Sequence, residues 1–222
     1  MTRRGALGNF QSKTFFNAVA TEYDAIVGEV PYAAELEPFL NAKAGIGRML
    51  DVGAGTGKSI EAVLRYAKPE AIVAVDISRE MLERLAEKYP SVEIVHSDVA
   101  QYLATDPEPF DLITAFGVFE LLPEVAPLLG ALTGKLKPGG LFCFSYEPLL
   151  VQHSTQGRSE TTYRIDVSPN VTYTMYRLPA ARVLGWVAGC DLLTLAHRAL
   201  PDAYVREDGP VELRFVAALR PS

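Results

Sequence analysis

Between Arg48 and Tyr146, short apolar runs rich in β-branched residues alternate with amphipathic segments, and this alternation restricts the chain to few folds. The apolar runs predict five strands, over Met49–Val52, Ala71–Asp76, Val92–His96, Phe110–Phe116 and Gly140–Tyr146. Apolar residues between these runs recur at helical spacing. Strands that alternate with helices form right-handed βαβ units with a parallel sheet. We therefore predict an α/β, Rossmann-like, doubly wound and mostly parallel sheet, with ligands at the carboxyl ends of its strands.

The flanking segments extend this core into one predicted domain over residues 1–222. Residues 1–45 form a helical N-terminal cap, in which one or two helices are expected between Phe10 and Phe39. Residues 46–147 form the core that is expected to bind a ligand, and Pro138-Gly139-Gly140 is expected to end the helix before the fifth strand. Residues 148–178 are a substrate lid inserted after that strand. Residues 179–222 form a helix over Pro179–Ala188 and two closing strands, LLTLAHRAL and ELRFVAALR, whose antiparallel hairpin brings the sheet to seven strands.

Composition argues against several classes of function. The 222-residue chain has a formal net charge of −6, the wrong sign for holding a polyanion. We expect no nucleic-acid partner. No window is apolar enough for a membrane span, and no export signal is evident at the N-terminus. Its two cysteines form no CxxC pair and its three histidines have no metal-ligand spacing, so we expect no metal. These features predict a cytoplasmic protein, monomer or homodimer, without a membrane partner.

The most informative segment is MLDVGAGTGKS, in which Asp51 ends a strand and three alternate glycines lead into a helix. Glycines here let main-chain amides and a helix N-terminus face a ligand. A phosphate-binding P-loop would need glycine where Val52 stands, and a dinucleotide fingerprint would need its third glycine at Lys58. The spacing is G-x-G-x-G instead.

This loop, with the acidic residue before it, resembles the first motif of the class I S-adenosylmethionine-dependent methyltransferases that act on small molecules. The resemblance covers about residues 15–147. It continues in order through AVDIS around Asp76, Met81, HSDVA around Asp98, FDLITAFGVFELLP and LKPGGLF. It implies S-adenosyl-L-methionine as cofactor, with S-adenosyl-L-homocysteine as product, and methyl transfer by in-line displacement to oxygen, nitrogen or carbon of a small-molecule acceptor.

The resemblance also assigns roles to residues of the cofactor site. Asp76 follows Gly53 by about 20 residues, the interval at which a carboxylate binds ribose hydroxyls. Asp98 and Val99 would face the adenine, although Asp98 could simply cap a helix. Asp51 would lie near the methionine amino group, while Met81 and Tyr23 are either cofactor contacts or core residues. The whole predicted cofactor-binding set is Tyr23, Asp51, Gly53, Ala54, Gly55, Gly57, Asp76, Ile77, Met81, Asp98, Val99 and Phe116.

The catalytic residue and the acceptor remain open at this stage. A base assists methyl transfer only if it reaches the proton being lost, and Glu120, Glu147, His153 and Asp166 are candidates. Glu120 stands where many relatives have histidine, so no base is inherited from the resemblance. The predicted substrate-binding residues are Tyr32, Glu120, Tyr163, Arg164, Tyr173 and Arg177. Together they favour a planar or acidic small molecule.

Three other functions are compatible with the same sequence. The chain could use the cofactor for other chemistry, such as formation of carboxy-S-adenosylmethionine. It could bind the cofactor without catalysis, as a sensor or scaffold. It could also be a nicotinamide oxidoreductase, which Lys58 in place of the third glycine disfavours.

Overall fold

The computed structural model describes residues 3–151, 153, 156–165, 168–206 and 209–222. Three helices precede the sheet, α1 (Arg3–Val19), α2 (Tyr23–Val27) and α3 (Ala33–Asn41), where the sequence predicted one or two. The core follows as β1 (Arg48–Val52), α4 (Lys58–Leu64), β2 (Ala71–Asp76), α5 (Arg79–Lys88), β3 (Glu93–His96), α6 (Val99–Ala104), β4 (Phe110–Ala115), a 3₁₀ turn (Phe119–Leu121), α7 (Ala126–Gly134) and β5 (Leu136–Tyr146). The chain ends with β6 (Glu160–Ile165), β7 (Ser168–Tyr176), α8 (Ala180–Gly189), β8 (Leu193–Arg206) and β9 (Gly209–Leu219).

The main sheet has seven strands in the order β3-β2-β1-β4-β5-β9-β8. Strands β1 to β5 are parallel, and β9 is antiparallel to both β5 and β8. The order reverses between β1 and β4, which is where ligands bind on doubly wound sheets. The predicted fold, including the antiparallel C-terminal hairpin, is confirmed.

Helices cover both faces of this sheet. On one face, α3, α4 and α5 bury apolar side chains such as Leu36, Ile60 and Leu85 against the strands. On the other face, α6, α7 and α8 contribute side chains such as Leu103, Leu129 and Val187. Both faces of the parallel strands are therefore buried, and loops at the strand ends are left for a site.

The insertion after β5 forms a separate two-stranded antiparallel sheet of β6 and β7. It packs against the N-terminal helix, where the rings of Phe15 and Tyr173 lie 4.2 Å apart. No helix of the described ranges is long and apolar enough to cross a membrane.

Two boundary predictions were wrong. Pro138-Gly139-Gly140 does not end the preceding helix, because α7 stops at Gly134 and β5 already begins at Leu136. The glycines instead form an irregular start of β5. Gly139 has a φ of 71°, and its amide donates a hydrogen bond to the Arg220 carbonyl. The first closing strand is also longer than LLTLAHRAL, since β8 continues to Arg206.

Candidate active site

The loop between β1 and α4 depends on its glycines for different reasons. Gly53, Gly55 and Gly57 all have positive φ, at 64°, 53° and 90°. A Cβ at Gly57 would lie 2.9 Å from the Tyr89 ring, so this glycine lets α4 pack closely on the core. A Cβ at Gly55 would meet nothing nearer than 4.0 Å, because this part of the loop faces open space. The loop is thus packed on one side and open on the other.

Asp76 ends β2 directly beside this loop. Its Oδ2 accepts a hydrogen bond from the Gly55 amide at 2.8 Å, and its Oδ1 accepts one from the Ser78 amide at 2.7 Å. Burial raises the pKa of Asp76, and the two amide hydrogen bonds partly offset that rise. A rigidly held carboxylate therefore lies at the carboxyl end of the sheet.

A cavity, here called the cofactor cavity, opens at this point between the strand ends and the N-terminal helices. Most of the predicted cofactor-binding residues line it: Tyr23, Gly53, Gly55, Asp76, Ile77, Met81, Asp98, Val99 and Phe116. Ser12 and Phe16 of α1 also line it, together with Ser97, Gly117 and Val118, which the sequence analysis missed. Ser97 and Gly117 directly adjoin predicted residues and Val118 lies two positions from Phe116, whereas Ser12 and Phe16 lie on α1, several positions away from any predicted residue.

Asp51, Ala54 and Gly57 do not line this cavity. Asp51 lies fully buried beneath the loop, and its Oδ1 accepts a hydrogen bond from the Thr114 hydroxyl at 2.7 Å. Its Oδ2 has no hydrogen-bond partner of good geometry in the described structure. Burial raises the pKa of Asp51 to about 7, against the lowering effect of the Thr114 and Ser59 hydroxyls. The protein thus keeps an unsatisfied carboxyl oxygen under the loop.

Asp98 both caps a helix and faces the cavity. Its Oδ1 accepts hydrogen bonds from the amides of Ala100 at 2.8 Å and Gln101 at 3.3 Å, which makes it the N-cap of α6. Met81 likewise packs against Val19 while lining the cavity. For both residues, the structural and the ligand-facing roles are compatible.

A second cavity, here called the acceptor cavity, adjoins the first and has a volume of about 470 Å³. Phe16, Tyr23, Phe116, Gly117 and Leu121 line both cavities. The Tyr32 and Phe116 rings stack in its wall, 3.7 Å apart with an interplanar angle of 5°. The volume falls within the usual range for small-molecule pockets.

Tyr23 separates the two cavities and is itself anchored. The next residue, Asp24, accepts a hydrogen bond from the Thr56 hydroxyl at 2.5 Å and pairs with Lys88, which ties α2 to the glycine loop and to α5. Burial, with the nearby charges of Asp76 and Glu120, raises the pKa of Tyr23 to about 12. Its hydroxyl therefore stays protonated at neutral pH.

Glu120 provides a carboxyl group in the acceptor cavity. It lies on the 3₁₀ turn after β4 and is only 3% exposed. Its Oε2 has no hydrogen-bond partner within the described residues. Burial raises the pKa of Glu120 to about 8; the neighbouring Glu147 also raises it, and Arg206 lowers it. A carboxyl that titrates near neutral pH is suited to general acid–base chemistry.

Glu147 forms a buried ion-pair cluster at the far wall of the acceptor cavity. Its Oε1 accepts a hydrogen bond from Arg177 Nε at 2.5 Å, and its Oε2 pairs with Arg206 Nη2. Arg177 also donates to the Tyr163 hydroxyl at 2.8 Å and to the Thr161 hydroxyl at 2.7 Å. The cluster joins the end of β5 to both lid strands and to β8.

Comparison with known proteins agrees with this geometry. A family model described as "Methyltransferase domain" matches residues 50–142, which include the glycine loop and Asp76. Over these residues the chain is similar to the class I S-adenosylmethionine-dependent methyltransferases.

Two curated relatives illustrate the likeness to methyltransferases. A malonyl-[acyl-carrier protein] O-methyltransferase from Halalkalibacterium halodurans is 35% identical over 103 residues, 44% of this chain. That match covers only 38% of the relative's own length. A trans-aconitate 2-methyltransferase from Rhizobium etli is 25% identical over 184 residues, 68% of this chain and 71% of the relative.

Solved methyltransferase structures share the fold over nearly the whole chain. The 1,6-didemethyltoxoflavin-N1-methyltransferase of Burkholderia thailandensis has a TM-score of 0.68 at 17% identity, covering 100% of this chain and 92% of that one. The magnesium protoporphyrin IX methyltransferase of Synechocystis has a TM-score of 0.67 at 14% identity, covering 96% of this chain and 97% of that one. At such identities the likeness concerns the fold alone.

The structure separates the predicted substrate-binding and catalytic candidates. Tyr32, Glu120 and Tyr173 line the acceptor cavity. Tyr163 and Arg177 lie behind its wall in the Glu147 cluster, and Arg164 is exposed on the lid. His153 lines neither cavity, and its Nδ1 accepts a hydrogen bond from the Gln156 amide at 3.3 Å. Asp166 lies outside the described residues.

Four polar residues that line the acceptor cavity were not predicted as site residues: Lys58, Ser145, Tyr204 and Arg206. Tyr204 and Arg206 lie on the extension of β8 beyond Pro201, outside the predicted closing strand. The alternation in Tyr204-Val205-Arg206, which directs the polar pair to one face, is the signal that could have revealed them.

Proposed function

We propose that this protein is an enzyme that transfers a methyl group from S-adenosylmethionine to a small molecule held in the acceptor cavity. The observation that carries the proposal is the junction of the two cavities at Tyr23, Phe116 and Gly117. An in-line displacement needs donor and nucleophile in adjoining spaces, and the shared lining of the two cavities supports such an arrangement.

The residues of the cofactor cavity suit the proposed cofactor. Asp76 is a buried carboxylate at the strand end where a ribose would bind, and the open side of Gly55 leaves room beside it. Asp98 and Val99 would face the adenine. The unpaired Oδ2 of Asp51 supplies negative charge beneath the loop for the cationic methionine end. When bound, the cofactor supplies a methyl group already activated on a sulfonium.

The chain's own contribution is then alignment and proton transfer. The stacked Tyr32 and Phe116 rings shape a flat wall for the acceptor. Glu120 faces the acceptor from the turn after β4, and in its ionised form it would accept the proton that the nucleophile loses. The curated and structural relatives include methyltransferases whose names specify transfer to oxygen and to nitrogen. The proposal is therefore compatible with either atom.

Titration calorimetry with S-adenosylmethionine, S-adenosylhomocysteine, NAD and ATP tests the proposal directly. We expect micromolar affinity, about −8 kcal/mol, for the two sulfur nucleosides only. Asp76→Ala should abolish that binding. The control is Glu70→Ala, which removes an exposed carboxylate directly before the opposite end of β2 and should leave binding unchanged. Preference for NAD would instead favour an oxidoreductase.

An acceptor screen with methyl-labelled S-adenosylmethionine then tests turnover. Label transfer to a small molecule would support methyl transfer. Tight cofactor binding with no transfer to any acceptor would favour a non-catalytic cofactor-binding protein. Conversion of the cofactor to a carboxylated form would favour the carboxy-S-adenosylmethionine alternative.

A further inference from the structure

We propose that the acceptor carries a carboxylate, or an equivalent anionic group, that is held by Arg206 at the end of the acceptor cavity away from the methyl donor. This inference rests on the proposed function for the identity of the cavity. It goes beyond the acidic acceptor that the sequence pattern favours by assigning one residue, Arg206, to hold the anionic group.

Arg206 is a buried cation with unused hydrogen-bond donors. Its side chain is 7% exposed and lines the acceptor cavity. Its Nη2 hydrogen-bonds to Glu147 and to the Tyr204 hydroxyl, the latter at 2.7 Å. Its Nε and Nη1 have no hydrogen-bond partner anywhere in the described ranges. Because unpaired buried donors are costly, these two groups favour a ligand that accepts from them.

The surroundings of Arg206 hold it in place for such a ligand. Its guanidinium carbon lies 4.8 Å from the centroid of the Tyr163 ring and 5.1 Å from that of Tyr204. These ring contacts and the Glu147 pair fix the guanidinium before any ligand arrives. A preorganised cation loses little conformational entropy on binding an anion.

The charge balance of the cluster also favours an anion. Glu147 is shared by two guanidinium groups, those of Arg177 and Arg206, which leaves one positive charge in excess. Arg177 also donates hydrogen bonds to the Arg158 carbonyl and to the lid hydroxyls of Thr161 and Tyr163. The excess charge is therefore offered to the cavity by Arg206. Glu120 does not neutralise it at pH 7, because burial keeps that carboxyl largely protonated.

The position of Arg206 decides which part of the acceptor it would hold. Arg206 lines the acceptor cavity but not the cofactor cavity. Phe116, Gly117 and Leu121, which surround Glu120 in sequence, line both. An acceptor anchored at Arg206 would therefore place its nucleophile near Glu120 and the methyl donor. Its carboxylate would act as a handle and would not itself be methylated.

The test uses the protein loaded with S-adenosylhomocysteine and pairs of ligands that differ only in charge. The probes are cinnamate with cinnamamide and 4-hydroxybenzoate with 4-hydroxybenzamide, measured by calorimetry. We expect each acid to bind about 10- to 100-fold more tightly than its amide, the range for hydrogen bonds to a charged group. Arg206→Gln should abolish this difference, and Arg206→Lys should keep part of it. Arg182→Gln, at an exposed arginine of α8, should retain it fully.

Equal binding of acid and amide by the wild type, or binding of neither, would overturn the proposal. An acid preference that survives in Arg206→Gln would do the same. S-adenosylhomocysteine affinity is recorded for every variant and reports folding separately. If Arg206→Gln fails to fold, the wild type and Arg206→Lys decide. If the wild type binds no S-adenosylhomocysteine, the proposed function fails, while the paired ligands still test the anion site on the unloaded protein.

Discussion

Replacing Asp51 by asparagine should make the protein more stable and its cofactor binding weaker. Burial raises the pKa of Asp51 to about 7, from an ordinary value near 4 in the unfolded chain. A rise of the pKa from near 4 to about 7 corresponds to about 4 kcal/mol of unfavourable free energy for the ionised carboxyl. Asparagine keeps an acceptor for the Thr114 hydroxyl and removes the charge. We expect Asp51→Asn to recover up to that amount at pH 8.

The pH dependence follows from the direction of the shift. Between the unfolded and folded pKa values, the folded protein binds more protons at Asp51 than the unfolded chain does. The wild type should therefore lose stability from this group as pH rises from about 4 to about 7, and lose no more above that. The affinity for a cationic ligand should instead increase as pH rises. A cationic ligand end favours the ionised form, so affinity for S-adenosylhomocysteine should fall by about 20-fold between pH 7.5 and pH 5.5.

Thermal unfolding without ligand and calorimetry with S-adenosylhomocysteine, on wild type and Asp51→Asn across this pH range, check both parts. At about 2–4 °C per kcal/mol for a chain of this size, a Tm rise of up to about 8–16 °C at pH 8 is expected for the variant. The affinity of this variant for S-adenosylhomocysteine should be lower than that of the wild type at pH 7.5 and should change little with pH. The reasoning is refuted if the variant melts below the wild type at pH 8, or if both proteins show the same pH slope.

Three further predictions concern catalysis, product and packing. With Glu120 as base, kcat/KM should rise about tenfold from pH 7 to pH 9, and Glu120→Gln should be slower without that rise. The other titratable groups of this cavity and its wall are Tyr23, Tyr32, Lys58, Tyr173, Tyr204, Arg206 and Glu147. The labelled product should keep its methyl group under mild alkali, because the carboxylate held by Arg206 is not esterified. Gly57→Ala should destabilise the protein by about 2 kcal/mol in urea unfolding, since it combines positive φ with a Tyr89 clash. Gly130→Ala, in helix α7 with nothing within 4 Å, should stabilise it by about 0.5 kcal/mol.

The cofactor half of the site was predictable because its residues depend on local backbone geometry. Gly53, Gly55 and Asp76 lie at the ends of adjacent parallel strands, so sequence order alone brings them together. The absence of Asp51 and Gly57 from the lining of the cofactor cavity has a local cause too. Their spacing identifies the loop, but packing decides which side of it faces the ligand: Asp51 lies beneath, and Gly57 faces Tyr89.

The acceptor half was harder to predict because distant segments build it. Arg206 and Glu147 are joined by an ion pair across 59 positions of sequence, and neither belongs to a local motif. Arg177 looked like a ligand contact from its place in the lid, but its donors are used within the protein. Only the three-dimensional structure shows which of two neighbouring arginines has donors to spare.

The charges of the two cavities suggest how binding and release are linked. Asp76 lines the cofactor cavity and Asp51 lies beneath its glycine loop. Burial raises the pKa of both, so a positive charge in that cavity would favour their ionised forms. Arg206 instead carries excess positive charge and two unpaired donors, and an anion in the acceptor cavity would neutralise the charge and pair the donors. A sulfonium donor with an anionic acceptor would satisfy both sets at once. Methyl transfer removes the sulfonium charge, so these carboxyl groups lose a partner. The same burial that favours the reactants should then weaken the hold on the product.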